Sequence, residues 1–308
     1  MRKAMKERRR VPLSTGITLN VALAGDPARP AVILLHGFPE SHRTWRDIAP
    51  KLEDNFYLVM PDQRGFGASD RPQEVEAYRA DVLVGDIFAL ADALDLDRFF
   101  LVGHDWGGAI SWAAALRGDP RLIALAIINA PHPVIFQKSL IADSAQRAAS
   151  QYISAFRTPG FEQIVERMGY DAFFDKSFGA HVDLSIIPED EKRRYIADWS
   201  QPGALTAMLN WYRGSQLVVP PPGTTVALPD WLLNPFPKVT VPTLVVWGIK
   251  DPALLPLQLD GLDQWVEDLR IVRIPDAGHF APWEAPDYVA AALAPFLAEV
   301  AGASARAA

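Results

Sequence analysis

Leu101-Val102-Gly103-His104-Asp105-Trp106-Gly107-Gly108 has the pattern of a strand passing through a sharp turn into a helix. An apolar strand runs up to Gly103, the chain turns tightly between Gly103 and Gly107, and a helical pattern continues to Leu116. On either side, similar apolar runs recur at residues 31–35, 56–60, 99–102, 125–128, 243–247 and 270–274. They are continuous rather than alternating, which suits strands of a parallel sheet covered on both faces. Between them lie helical patterns, such as residues 81–94 with Val82, Leu83, Ile87, Leu90 and Leu94 on one side. Strand–helix alternation predicts an open, mostly parallel α/β sheet with helices on both faces.

The alternation stops after Pro131-His132-Pro133 and resumes at Val241-Pro242-Thr243. The intervening segment carries helical patterns and a proline-rich stretch, Pro220-Pro221-Pro222-Gly223. We read residues 1–132 as the first part of the core, 133–235 as an inserted helical cap, and 236–308 as the second part of the core. The cap is expected over the carboxyl edge of the sheet, where open α/β sheets bind ligands.

With 308 residues, 49% of them hydrophobic, the chain can bury a large core. The formal net charge of −7 disfavours nucleic acid as a partner. The basic segment of residues 1–10 is read as a solvated, poorly ordered terminus rather than a nucleic-acid or membrane arm. Residues 11–16 after it form no apolar signal core, and no run is long enough to insert in a membrane. Residues 301–308 are likewise expected to fray. There is no cysteine, hence no disulfide framework, thiol nucleophile or thiolate metal site. No His-Glu-x-x-His or clustered carboxylate pattern is present, so no metal and no cofactor is expected. A cytoplasmic protein is the simplest expectation.

The turn at Asp105 has the form Gly-x-nucleophile-x-Gly, with aspartate where serine hydrolases carry serine. The same residue could serve only as a helix cap. As a nucleophile, its identity dictates the chemistry. A serine alkylated at an sp³ carbon becomes an ether that water cannot cleave. An alkylated carboxylate becomes an ester, which water can. A carboxylate attacking an ester would instead give an anhydride, so Asp105 points to attack on alkyl carbon.

Gly278-His279 follows a predicted strand and suits a loop-borne general base. Its other ring nitrogen needs a partner to fix the tautomer. Asp251, just past the preceding strand, is the best acid. Asp276 is nearer in sequence but is expected to face outward, and the strand ending at Asn129 offers no carboxylate. A surface ion pair is the bland alternative for His279 and Asp251. His104 should point away from the nucleophile and be structural, His36, His42 and His132 lie in loops near the site, and His181 sits in no usable pattern.

At this point the chain resembles the epoxide hydrolases of the α/β-hydrolase fold. His36-Gly37-Phe38-Pro39-Glu40-Ser41 resembles their oxyanion-hole motif, residues 62–69 their next loop, and Gly103-His104-Asp105-Trp106-Gly107-Gly108 their nucleophile motif. Asn210-Trp211-Tyr212-Arg213 resembles the cap segment that supplies a ring-opening tyrosine, and Tyr152, ahead of Pro159-Gly160, fits the second tyrosine position. The resemblance runs from about residue 12 to residue 298. The early motifs are common to the superfamily, and Asp-Trp is shared with haloalkane dehalogenases. The two tyrosines are the specific part, and packing within the cap is the alternative for both, as for Tyr170 and Tyr195.

The resemblance implies a mechanism. Tyr152 and Tyr212 hold the epoxide oxygen, and Asp105 attacks a ring carbon to form a hydroxyalkyl ester. His279, oriented by Asp251, activates water against that ester, and the backbone amides of Phe38 and Trp106 stabilise the oxyanion. A cis peptide before Pro39 is also implied. The partners are then a small apolar epoxide and water, with the side chains of Phe38, Trp106 and Trp211 against the substrate. Phe156, Phe173, Phe174 and Phe178 either line an apolar pocket or pack between cap helices. Dehalogenation is the nearest rival. Haloalkane dehalogenases often carry Asn where Phe38 stands, and phenylalanine cannot donate to a halide. Fluoroacetate dehalogenases usually have arginine at the place of Trp106. A non-enzymatic ligand receptor is the rival from another class, and an intact triad weighs against it.

Overall fold

The structure is a computed structural model and describes residues 7–233 and 235–307. Eight strands form one sheet: β1 (Glu7–Pro12), β2 (Thr18–Ala24), β3 (Ala31–Leu35), β4 (Tyr57–Pro61), β5 (Phe99–His104), β6 (Leu122–Ile128), β7 (Thr243–Gly248) and β8 (Leu269–Ile274). Their order is β1-β2-β4-β3-β5-β6-β7-β8. β1 and β2, and β2 and β4, pair antiparallel; every other pairing is parallel. Ile33 lies between Val59 and Leu101, and Leu101 pairs onward with Leu125.

The apolar runs are continuous because each face of the sheet has its own cover. Val32, Leu34, Phe100, Val102 and Val246 pack with Trp45, Leu52 and the Val289, Leu293 and Leu297 side of the helix Pro286–Ala307. Ile33, Leu35, Leu101, Ile127 and Trp247 face the helices Ala80–Ala93 and Trp106–Leu116. All of these strand residues are buried. Burying one such side chain contributes about 1.5–3 kcal/mol, so truncating Leu101 to alanine would cost roughly 2–5 kcal/mol.

Both ends of the chain depart from the expectation of frayed termini. Residues 1–6 lie outside the described residues, but Glu7–Pro12 is an ordered edge strand paired with β2 from Glu7↔Leu23 to Pro12↔Thr18. Only Val11 is buried there; Arg8, Arg9 and Arg10 are exposed, and Arg10 pairs with Asp70 at 2.9 Å. A charged rim of this kind discourages a second sheet from adding to the edge. At the other end, residues 301–307 continue the helix Pro286–Ala307. Alanine is the best intrinsic helix former, so a helix nucleated by Val289, Leu293 and Leu297 against the sheet runs on through it.

Between β6 and β7, the described residues form helices, short 3₁₀ turns and extended chain, with no strand. The helices run from Pro133–Ala142 to Ala204–Arg213. This insertion is tied to the loops at the carboxyl ends of β3 and β4. Arg43 donates to both carboxylate oxygens of Glu191 at 2.7 and 2.8 Å, in a buried pair. The indole N–H of Trp199 donates to Pro39 O at 2.9 Å, and that of Trp211 to Arg64 O at 2.9 Å. Among the described residues no helix is long and apolar enough to cross a membrane.

Candidate active site

Asp105 sits at the joint between β5 and the helix Trp106–Leu116, with φ 51° and ψ −121°. Few non-glycine residues adopt such angles, and they do so where the surroundings impose them. The surroundings here are tight. A Cβ on Gly107 would overlap the Leu35 and His36 carbonyls, and one on Gly37 would overlap the Asp105 carboxylate itself. That carboxylate does not cap its helix. Its Oδ1 accepts from the Phe38 amide at 2.8 Å, and its Oδ2 faces Nε2 of His279 at 3.5 Å. The Phe38–Pro39 peptide is cis. Among the described residues, the Trp106 amide makes no hydrogen bond to the carboxylate. Burial raises the Asp105 pKa, but His279, His104 and the Phe38 amide outweigh it and leave the group below the usual carboxylate range.

His279 follows β8, and its Nδ1 lies 2.8 Å from Oδ2 of Asp251. Asp251 follows β7 and is saturated with donors. Oδ1 accepts from the Ala253 and Leu254 amides, each at 2.9 Å, and Oδ2 also accepts from Nδ2 of Asn129 at 2.9 Å. Burial disfavours the imidazolium of His279, but the two carboxylates prevail and hold its pKa well above the ordinary value. Asp276 does face outward, paired with Lys250 at 2.8 Å. His104 points away from the Asp105 carboxylate: Nδ1 meets Glu40 Oε2 at 2.8 Å and Nε2 meets the His279 carbonyl at 2.8 Å. It thereby fixes the backbone at His279.

Tyr152, on the helix Gln151–Arg157, and Tyr212, on the helix Ala204–Arg213, come from different parts of the insertion and meet over Asp105. Their ring centroids are 6.2 Å apart at 83°. Tyr212 is also edge-on to Phe38 and to Trp106, each at 5.1 Å. Burial and then the Asp105 charge raise the pKa of both phenols, so both stay protonated. Tyr195, by contrast, is packed among Phe178, Trp199 and Trp283.

Two cavities of about 550 Å³ each meet at Asp105, Tyr152 and Tyr212. The first runs past Trp106, Ile110, Phe136 and Trp211. The second is bounded by Phe38, Phe156, Phe173, His181 and His279. The four phenylalanines therefore divide: Phe156 and Phe173 line a cavity, whereas Phe178 stacks on Trp199 and Phe174 packs obliquely against both.

The structure adds two residues that sequence reasoning passed over. Asn129, at φ 42° after β6, receives the Gly248 amide at 2.8 Å on Oδ1 and donates to Asp251, so it holds the carboxylate between two strand ends. Its place at a strand end was the available signal. His181 stands beside His279, with ring centroids 5.4 Å apart.

Residues 30–286 match the α/β-hydrolase fold family. The chain is 33% identical to the AB hydrolase superfamily protein YfhM of Bacillus subtilis, over 90% of this chain and 93% of that protein. It is 32% identical to epoxide hydrolase A of Mycobacterium tuberculosis, over 92% of this chain and 95% of that protein. Among solved structures, one described under novel epoxide hydrolases of the α/β-hydrolase superfamily from hot-environment metagenomes superposes with a TM-score of 0.88. It is 46% identical, covering 94% of this chain and 98% of that one. The Asp105–His279–Asp251 arrangement, the paired tyrosines from the helices between β6 and β7 and these similarities converge: the chain belongs to the epoxide hydrolase family of the α/β-hydrolase fold.

Proposed function

We propose that the protein hydrolyses a small apolar epoxide to a vicinal diol through an ester on Asp105. The observation that carries this reading is that two protonated phenols, Tyr212 buried and Tyr152 half-buried, line the same cavities as the half-buried carboxylate of Asp105. Ring opening needs both at once. The carboxylate supplies an electron pair to carbon, and a phenol supplies a proton to the oxygen that leaves it.

In the first half-reaction, an oxygen of Asp105 bonds to a ring carbon, the C–O bond breaks, and Tyr212 or Tyr152 gives its proton to the departing oxygen. An ester and a phenolate result. Losing the Asp105 charge removes one of the two anions that favour the imidazolium, so on alkylation His279 gives up its proton, by way of solvent, to the phenolate and stands neutral, ready to act as a base. In the second half-reaction, His279 takes a proton from water as the water oxygen adds to the ester carbonyl. The Phe38 and Trp106 amides stabilise the oxyanion. Collapse expels the diol oxygen, which takes the proton from His279. The carboxylic acid on Asp105 then returns a proton to Nε2 of His279, 3.5 Å away, and the enzyme is restored.

The apolar linings, with Phe38, Trp106 and Trp211 near the reacting groups, favour hydrocarbon substituents on the epoxide. The test is a substrate panel of styrene-oxide-type epoxides, aliphatic epoxides and halogenated alkanes. Diol from epoxides without halide release is expected. Halide release without diol formation would overturn the reading.

A further inference from the structure

His181 lies in the turn after the helix Tyr170–Gly179, its amide donating to Phe178 O at 2.8 Å. The ring points inward. It is 5.4 Å from the His279 ring at 47° and 5.6 Å from Phe280, edge-on. It lines the second cavity with Asp105 and His279. Its Nδ1 is buried and has no hydrogen-bond partner among the described residues. Burial, reinforced by the neighbouring His279, pushes the imidazole down to about 4, so the ring stays neutral near pH 7. A neutral imidazole keeps one nitrogen free to accept a hydrogen bond.

A buried, unsatisfied nitrogen calls for a small polar occupant. The reaction supplies one on the same side of the nucleophile. Water attacking an ester must direct a lone pair at the carbonyl carbon, so both of its hydrogens need acceptors. Nε2 of His279 accepts one. Asp251 is already filled by four donors, and Asp105 is esterified at that stage. We propose that Nδ1 of His181 accepts the second hydrogen, holding the hydrolytic water between the cap and His279 with its lone pair toward the Asp105 ester. His181 moves no proton, and it acts only in the second half-reaction. This inference rests on the covalent route proposed above.

The test separates formation of the ester from its decay. Wild type, His181→Phe and His181→Gln, each in excess over styrene oxide, are quenched at short times, and the mass of the peptide bearing Asp105 is followed. Phenylalanine keeps a ring against His279 but accepts nothing; glutamine restores an acceptor. Ester formation within about twofold of wild type in both variants is expected. Decay should slow by roughly tenfold or more in His181→Phe and recover substantially in His181→Gln. Decay at the wild-type rate in His181→Phe overturns the inference. Formation falling in step with decay, or glutamine no better than phenylalanine, does so as well, since either marks a packing role. No ester even in His279→Gln, whose hydrolysis step is blocked, overturns the covalent route and this inference with it.

Discussion

Nε2 of His279 stands 3.5 Å from Oδ2 of Asp105, so the two side chains share a charge interaction before any substrate binds. On its other side, the same ring is held by Asp251 at 2.8 Å. Burial opposes the imidazolium, but the two carboxylates raise the pKa well above its usual value. Removing one anion must lower it, because the charged ring loses a favourable partner and the neutral ring does not. In an Asp105→Asn variant, the His279 titration followed by NMR should therefore move to lower pH than in wild type. His279→Gln would identify the resonance among the six histidines. An unchanged midpoint would contradict the coupling between the half-reactions.

The tyrosines are tested by loss of one oxygen each. Tyr212→Phe should lower the rate of epoxide opening by about tenfold or more, as loss of a general acid does, with little change in stability. Tyr152→Phe should behave similarly, and the double variant should be far slower than either. Single-turnover formation of the ester is the measurement. Full activity in the double variant would remove both phenols from the mechanism.

Asp251 accepts four hydrogen bonds, one of them from the base. Asp251→Asn places an amide in that cluster and takes away the charge that orients His279. Turnover should fall by roughly 10³-fold or more, as orienting-carboxylate losses in other triads do. Ester formation should suffer less than ester hydrolysis, because Asp105 attacks without a base. Equal loss in both steps would contradict the assignment of His279 to the second half alone.

The buried pair between Arg43 and Glu191 fastens the helix Glu189–Trp199 to the core. Glu191→Ala would leave the guanidinium buried and unpaired, at a cost of roughly 3–5 kcal/mol. Replacing both partners by Met and Leu should cost far less. Urea denaturation of the single and double variants distinguishes these outcomes. A single variant within about 1 kcal/mol of wild type would show that the ring of contacts around Trp199 and Trp211 suffices without the pair.

Much of the molecule was legible where a local pattern carries global meaning. The runs that became β3 to β7 are continuous because both faces are covered, whereas the edge strand β8 keeps Arg270 and Arg273 among half-buried neighbours, and the glycines around Asp105 mark a turn that tolerates no Cβ. β1 was not legible, because an edge strand with exposed arginines looks like a solvated tail; only its pairing with β2 orders it. β2 was passed over for a different reason. Asn20 interrupts its apolar run, yet that side chain is buried and donates to Asp62 at 2.8 Å. The carboxyl-terminal alanines carry little hydrophobic signal, and their helix is inherited from the apolar turns before them. Asn129 was set aside for lacking a carboxylate, although it is the amide that steadies one. His181 belongs to no motif, and its approach to His279 depends on how the inserted helices pack.

The central claim is that Asp105, not water, bonds first to the epoxide carbon. Direct attack by water and attack by Asp105 give the same diol, but they differ in the source of its new oxygen. In the two-step route an Asp105 oxygen leaves with the product, and water replaces it on the enzyme, because hydrolysis occurs at the ester carbonyl. The decisive measurement is one turnover in heavy-oxygen water with enzyme in excess. The diol should be essentially unlabelled, and the peptide containing Asp105 should gain the label while other acidic peptides do not. A labelled diol from the first turnover, with Asp105 still light, would contradict the account and leave His279 activating water directly against the epoxide.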